Sequence, residues 1–118
     1  MRPHFRFEDL EIWQQAADLA GQFHKLAEKL DRQKFFRYAE QLRAAGLSIS
    51  NNISEGSASF HTAEFVQFLN IARRSLFEDA SMLMVFERLQ LFAGSEVDEL
   101  LSACDNLSRK ITDFSRAL

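Results

Sequence analysis

Proline occurs once, at Pro3, and glycine only four times in 118 residues. The chain therefore has little of the turn chemistry that folds of many short elements need, and a few long elements are expected. A single cysteine, Cys104, excludes an intramolecular disulfide and suits a reducing compartment. No apolar run approaches the roughly 18 residues of a membrane span, and the N-terminal MRPHFRFEDLEIW has no apolar core of the signal-peptide kind. The expectation is a cytoplasmic protein with no membrane partner. An excess of positive charge is also missing. With a net charge of −3 and a pI near 5.6, bulk electrostatics draw the chain to neither nucleic acid nor an anionic membrane. Low-complexity segments and repeats of solenoid period are absent, so residues 1–118 read as a single domain large enough to bury a core.

What the chain has in quantity is phenylalanine, twelve against one Tyr and one Trp. Its apolar residues recur at intervals of three and four in four stretches, the spacing that lines one face of a helix. The first predicted helix runs from Glu8 to Leu30 on Leu10, Trp13, Ala17, Ala20, Phe23, Ala27 and Leu30, with acids opening it and Lys25 and Lys29 closing it. The second runs from Phe35 to Glu55 on Leu42, Gly46, Ile49 and Ile53, and Gly56 reads as a left-handed helix stop. The third, Thr62 to Phe92, carries Phe65, Phe68, Leu69, Ala72, Leu76, Leu83 and Phe86, is capped by Ser59 or Thr62, and is ended by Gly94. The fourth opens with a capping-box-like Ser95–Asp98 pair and continues through Leu100, Cys104, Leu107, Ile111, Phe114 and Leu118. Short links make consecutive helices antiparallel. The expected fold is an all-α, antiparallel up-down-up-down four-helix bundle.

The third helix has more apolar surface than such a bundle can cover. Val66, Phe77, Ala80, Met84 and Leu91 form a second row about 100° from the first. A helix apolar on most sides is buried on most sides, so this row is the expected interface with a partner, most simply another copy of the chain.

Few residues suggest chemistry. A di-iron bundle needs Glu-x-x-His pairs, yet the residues three before His4, His24 and His61 are Met1, Gly21 and Ala58. No metal, cofactor or catalytic residue is therefore assigned, and Cys104 reads as a small core hydrophobe. The unusual stretch is SISNNISEGS, Ser48 to Ser57, where a helix meant to pack carries a row of Ser48, Asn51, Asn52 and Glu55. A packed carboxylate is costly unless partnered, and the available partners are backbone N–H groups opening the third helix, or Arg73 or Arg74. The row reads as a structural polar seam at the corner between helices two and three; the alternative is a small-molecule or catalytic pocket at Asn52 and Glu55. Lys25, Lys29, Arg32, Lys34 and Arg37 crowd the first link, diluted by Glu28 and Asp31. They form either a solvated cap or a surface for a phosphate backbone.

FEDLEIWQQA (Phe7 to Ala16), QLRAAGLSISNNISEGS (Gln41 to Ser57) and EFVQFLNIARRSLFEDASML (Glu64 to Leu83) resemble the signatures of the bacterial four-helix-bundle proteins encoded by intervening sequences in large-subunit ribosomal RNA genes. The resemblance implies an up-down bundle that assembles into a ring-shaped homopentamer. A related branch comprises the accessory proteins of diversity-generating retroelements, which bind reverse transcriptase and nucleic acid but are strongly basic, unlike this chain. The expected function is a non-enzymatic homo-oligomeric interaction module; an RNA or ribonucleoprotein accessory factor using the Lys25–Arg37 rim is the alternative.

Overall fold

The computed structural model describes all 118 residues. After a short 3₁₀ turn at Arg6–Asp9 come α1 (Glu11–Arg32), α2 (Phe36–Ser57), α3 (Thr62–Arg88) and α4 (Gly94–Arg116), with no strand. Each helix packs on its neighbours in the chain, and α4 returns to α1. The fold is the antiparallel up-down-up-down four-helix bundle, 44 × 34 × 20 Å across.

Twenty-three buried residues form one core, and their spacing explains the helices. On α3, Phe65, Leu69, Ala72, Leu76, Asp79, Leu83 and Phe86 are buried in unbroken alternation of four and three. On α4 the buried row includes Val97, Leu100, Cys104, Leu107 and Ile111. The row on α1 begins one position from the expected one. Ile12, Ala16 and Leu19 are buried, whereas Trp13, Ala17 and Ala20 are half-covered; the rows merge at Phe23, Ala27 and Leu30. The apolar face of α1 is wide, and the branched Ile12 and Leu19 take its centre.

The turns depart from expectation more than the helices do. No glycine has a positive φ; the left-handed positions are Lys34 (φ 67°) and Gln90 (φ 63°). Gly56 is not a helix stop, because α2 continues through it to Ser57. Its role is close approach: a Cβ there would stand 2.7 Å from Phe68 Cβ and 2.8 Å from Phe65 Cδ1. Gly94 opens α4 rather than ending α3, which stops at Arg88. The capping pair of α4 lies two residues earlier than expected, with Ala93 N–H donating to Glu96 Oε1 at 3.0 Å. Neither Ser59 nor Thr62 caps α3; His61 holds the cap position without a side-chain bond, and Ser59 Oγ donates to Glu64 Oε1 at 3.2 Å.

Candidate functional site

The polar stretch of α2 satisfies itself locally. Asn52 Nδ2 donates to the Ser48 carbonyl at 2.7 Å, Ser54 Oγ to that of Asn51 at 2.9 Å, and Ser57 Oγ to that of Ser54 at 2.7 Å. Short polar side chains reach back to carbonyls three or four residues earlier on their own helix. Ser48 and Asn52 are half-buried, but Asn51 and Glu55 are exposed. The expected cross-helix seam is therefore not formed within the chain, and Glu55 is not a buried carboxylate. Neither Arg73 nor Arg74 reaches it. Glu55 stands at the α2–α3 corner, while Arg73 lies about 16 Å down α3 from its start at the standard rise. Glu55 instead lines a shallow groove with Phe5, Arg6 and Phe7, of which Asn52 is not part. The Arg6 guanidinium is engaged elsewhere: it donates to the Ser57 carbonyl at 3.1 Å and lies 5.4 Å from the Phe65 ring centroid.

At the opposite end, Lys25, Arg32, Lys34 and Arg37 are exposed and have no carboxylate within 4.0 Å. Lys29 differs, being paired with Glu96 at the start of α4. That pair, with the Ala93 N–H, holds the Glu96 carboxyl below the usual range. Asp31 is taken by Arg43 and Glu28 lies 3.3 Å from His24, so the acids that dilute the rim in sequence are themselves partnered.

The outer face of α3 carries a row of uncovered apolar side chains. Phe77 is 59% exposed and Met84 50%, with Val66, Ile71 and Val85 also exposed and Ala80 half-buried. Leu91 does not belong to this row. The helix has already ended, the left-handed Gln90 turns the chain, Leu91 N–H donates to the Phe86 carbonyl at 2.9 Å, and its side chain packs on the core. Between α3 and α4 the apolar row borders a groove of about 550 Å³, lined by residues including Phe77, Ala80, Met84, Leu101 and Cys104. Toward the other end of the same two helices lies a second groove of about 520 Å³. This one mixes the apolar Val66, Leu69 and Ile111 with Gln67, Asn70 and Arg73 from α3 and Thr112, Ser115 and Arg116 from α4.

Beneath this face is a group that sequence reasoning passed over. Asp79 is fully buried, and neither carboxylate oxygen has a hydrogen-bond partner. Burial first, and the charge of Glu78 second, push its carboxyl up to about 8. Burial, with the charge of Asp79 added, likewise pushes the Cys104 thiol up to about 12. The signal was present: Asp79 fills the gap between Leu76 and Leu83 in the four-three row of α3, where an acid is read as solvated only if the row is not followed through.

The bundle, with its glycine-mediated α2–α3 packing and apolar α3, can be set beside known proteins. The model of the 23S rRNA-intervening sequence proteins matches residues 8–113. The chain belongs to that family. A solved structure agrees in fold: a protein of unknown function from the S23 ribosomal protein family of Bacteroides thetaiotaomicron VPI-5482 is similar with a TM-score of 0.83. The two share 21% identity over 88% of this chain and 97% of that one. Nothing among curated proteins matches the chain. In this family member, the matched span takes in the self-bonded polar stretch, the exposed row of α3 and the buried Asp79. No helix of the chain is long and apolar enough to cross a membrane.

Proposed function

We propose that this protein is a non-enzymatic, cytoplasmic interaction module, one bundle domain per chain, that works as a homo-oligomer through the outer face of α3. One observation carries the reading: Phe77 and Met84 stand half or more exposed beside an apolar groove that no part of the chain covers. A contiguous apolar surface of this kind on a small protein marks an interaction site, and its removal from water is worth about 25 cal/mol per Å² of apolar area. The ring-shaped pentamer implied by the family resemblance is one assembly in which a repeated face of this kind is covered. Val66 and Ala80 belong to the same surface.

Light scattering coupled to size exclusion tests the reading. Wild-type protein is expected to elute as a multiple of its 13.6 kDa mass, and the double variant Phe77→Glu, Met84→Glu as a folded single chain. Wild-type and variant of the same mass would overturn the role of this face.

A second reading, an RNA-binding accessory role, is favoured by one observation: Lys25, Arg32, Lys34 and Arg37 are exposed and unpaired. Its signature is RNA binding that weakens steeply with salt and is lost when Arg32 and Lys34 are reversed in charge. Binding unchanged by salt would contradict it.

A further inference from the structure

We propose that the exposed ring pair Phe35–Tyr38 is a stacking platform for the bases of single-stranded RNA, whose phosphates the adjoining Arg32, Lys34 and Arg37 would bind. The inference rests on the RNA-binding reading and names the form of nucleic acid that this end of the bundle would take. Every residue from Arg32 to Tyr38 is exposed. The segment, RQKFFRY, interleaves cations with aromatic rings and contains no acid. Its cations have no carboxylate within 4.0 Å. Asp31, which precedes it, is neutralised by Arg43. Glu40, the next acid along α2, stands roughly 160° around the helix from Tyr38.

The rings are held in place as well as exposed. Buried Phe86 lies 5.1 Å from Tyr38 by ring centroids, and Tyr38 lies 6.1 Å from Phe35 with the two planes only 19° apart. This series runs out of the core and ends at Phe35, 39% exposed. The Phe35 backbone is fixed on both sides: its N–H donates to the Leu30 carbonyl at 2.9 Å, and its carbonyl accepts from the Ala39 N–H at 3.0 Å. A base that adds to the series meets a flat face already in position, so little ordering cost falls on binding. Duplex RNA keeps its bases stacked inside the helix and offers no free face, so the platform favours single strands. Other exposed rings lack this combination. Phe5 and Phe7 are also near-parallel, at 5.6 Å and 19°, but Glu8 lines their groove and Asp9 follows it, and both repel phosphate. Phe77 already has the Arg73 guanidinium over a face. An anionic membrane would use the same cations but needs rings that protrude into lipid, and Tyr38 is packed against Phe86 instead.

The experiment is fluorescence anisotropy of the full chain with a labelled RNA of mixed sequence, single-stranded or annealed to its complement. Circular dichroism verifies that each variant is folded. Wild-type protein is expected to bind the single strand more tightly than the duplex. Phe35→Leu keeps an apolar side chain but removes the flat face, and is expected to cost the single strand about tenfold more affinity than the duplex. Phe35→Trp is expected to retain the preference. The pair Arg32→Glu, Lys34→Glu is expected to weaken both forms alike. Equal wild-type affinity for the two forms overturns the platform while leaving the basic-rim reading intact. So does a folded Phe35→Leu protein that binds the single strand as wild type does. Failure to bind either RNA refutes that reading and the platform with it, and binding to phosphatidylserine vesicles alone would replace both with a lipid surface.

Discussion

Gly46 of α2 lies against Phe23 of α1 so closely that a Cβ at position 46 would stand 2.8 Å from Phe23 Cδ2 and 3.1 Å from Phe23 Cβ. Phe23 is fully buried. Its ring could turn, but its Cβ is fixed to the α1 backbone, so a side chain at 46 forces the two helices apart. Glycine inside a helix costs about 1 kcal/mol relative to alanine, and here that cost is offset by the approach of α1.

Gly46→Ala is therefore expected to destabilise the fold by about 1–3 kcal/mol, the range for overpacking a core. Gly21 serves as the control. It is exposed within α1 and a Cβ there would meet nothing within 4 Å, so Gly21→Ala is expected to stabilise by about 0.5–1 kcal/mol. Urea unfolding of both variants checks the pair; a stabilised Gly46→Ala would contradict the close contact.

Asp79 gives a pH dependence with a definite sign. Its carboxyl is pushed from 3.8 to about 8 in the fold. Between those values the unfolded chain gives up the proton and the folded chain retains it. The residue's contribution to stability is thus full below about pH 4 and is lost as pH rises toward 8, by about 1.4 kcal/mol per unit. Asp79→Asn removes the titration while keeping the shape. Comparing unfolding free energies of the two proteins at pH 5 and pH 7 isolates the effect, and parallel profiles would contradict a buried, neutral Asp79.

Cys104 is expected to resist alkylation. With its thiol pushed up to about 12 and the residue only 3% exposed, its thiolate fraction at pH 8 is roughly a thousandfold below that of an ordinary cysteine. Iodoacetamide should label the folded protein slowly and the urea-unfolded protein fast. Equal rates would place the thiol in solvent.

The helices, their order and most core positions were legible because four-three spacing is a property of the sequence itself. The exposed row of α3 was legible for the same reason, in Phe77 and Met84. Turn geometry was not. The left-handed positions fell on Lys34 and Gln90, whereas Gly46 and Gly56 are needed for close packing, and a glycine's letter does not distinguish the two uses. The fate of Glu55 was misread because SISNNISEGS shows polar residues beside apolar ones but not which helix faces which. Once Asn52 and the serines bond their own helix, nothing turns the carboxylate inward. Asp79 shows the opposite error, a charge that spacing alone places in the core.

The ion pairs joining α1 to α4 are expected to matter little. Lys110 Nζ lies 2.6 Å from Glu11 Oε1, but Glu11 is largely exposed, and such pairs contribute about 0–1 kcal/mol. Lys110→Ala should shift the urea midpoint only slightly; a loss of several kcal/mol would mean that this contact, rather than the core, holds α4 in place.

The central claim is that the outer face of α3 is covered by other copies of the same chain. Native mass spectrometry of wild-type protein, purified without nuclease, tests it most directly. A protein-only complex of several copies is the predicted result. A bare single chain across the concentration range would contradict it.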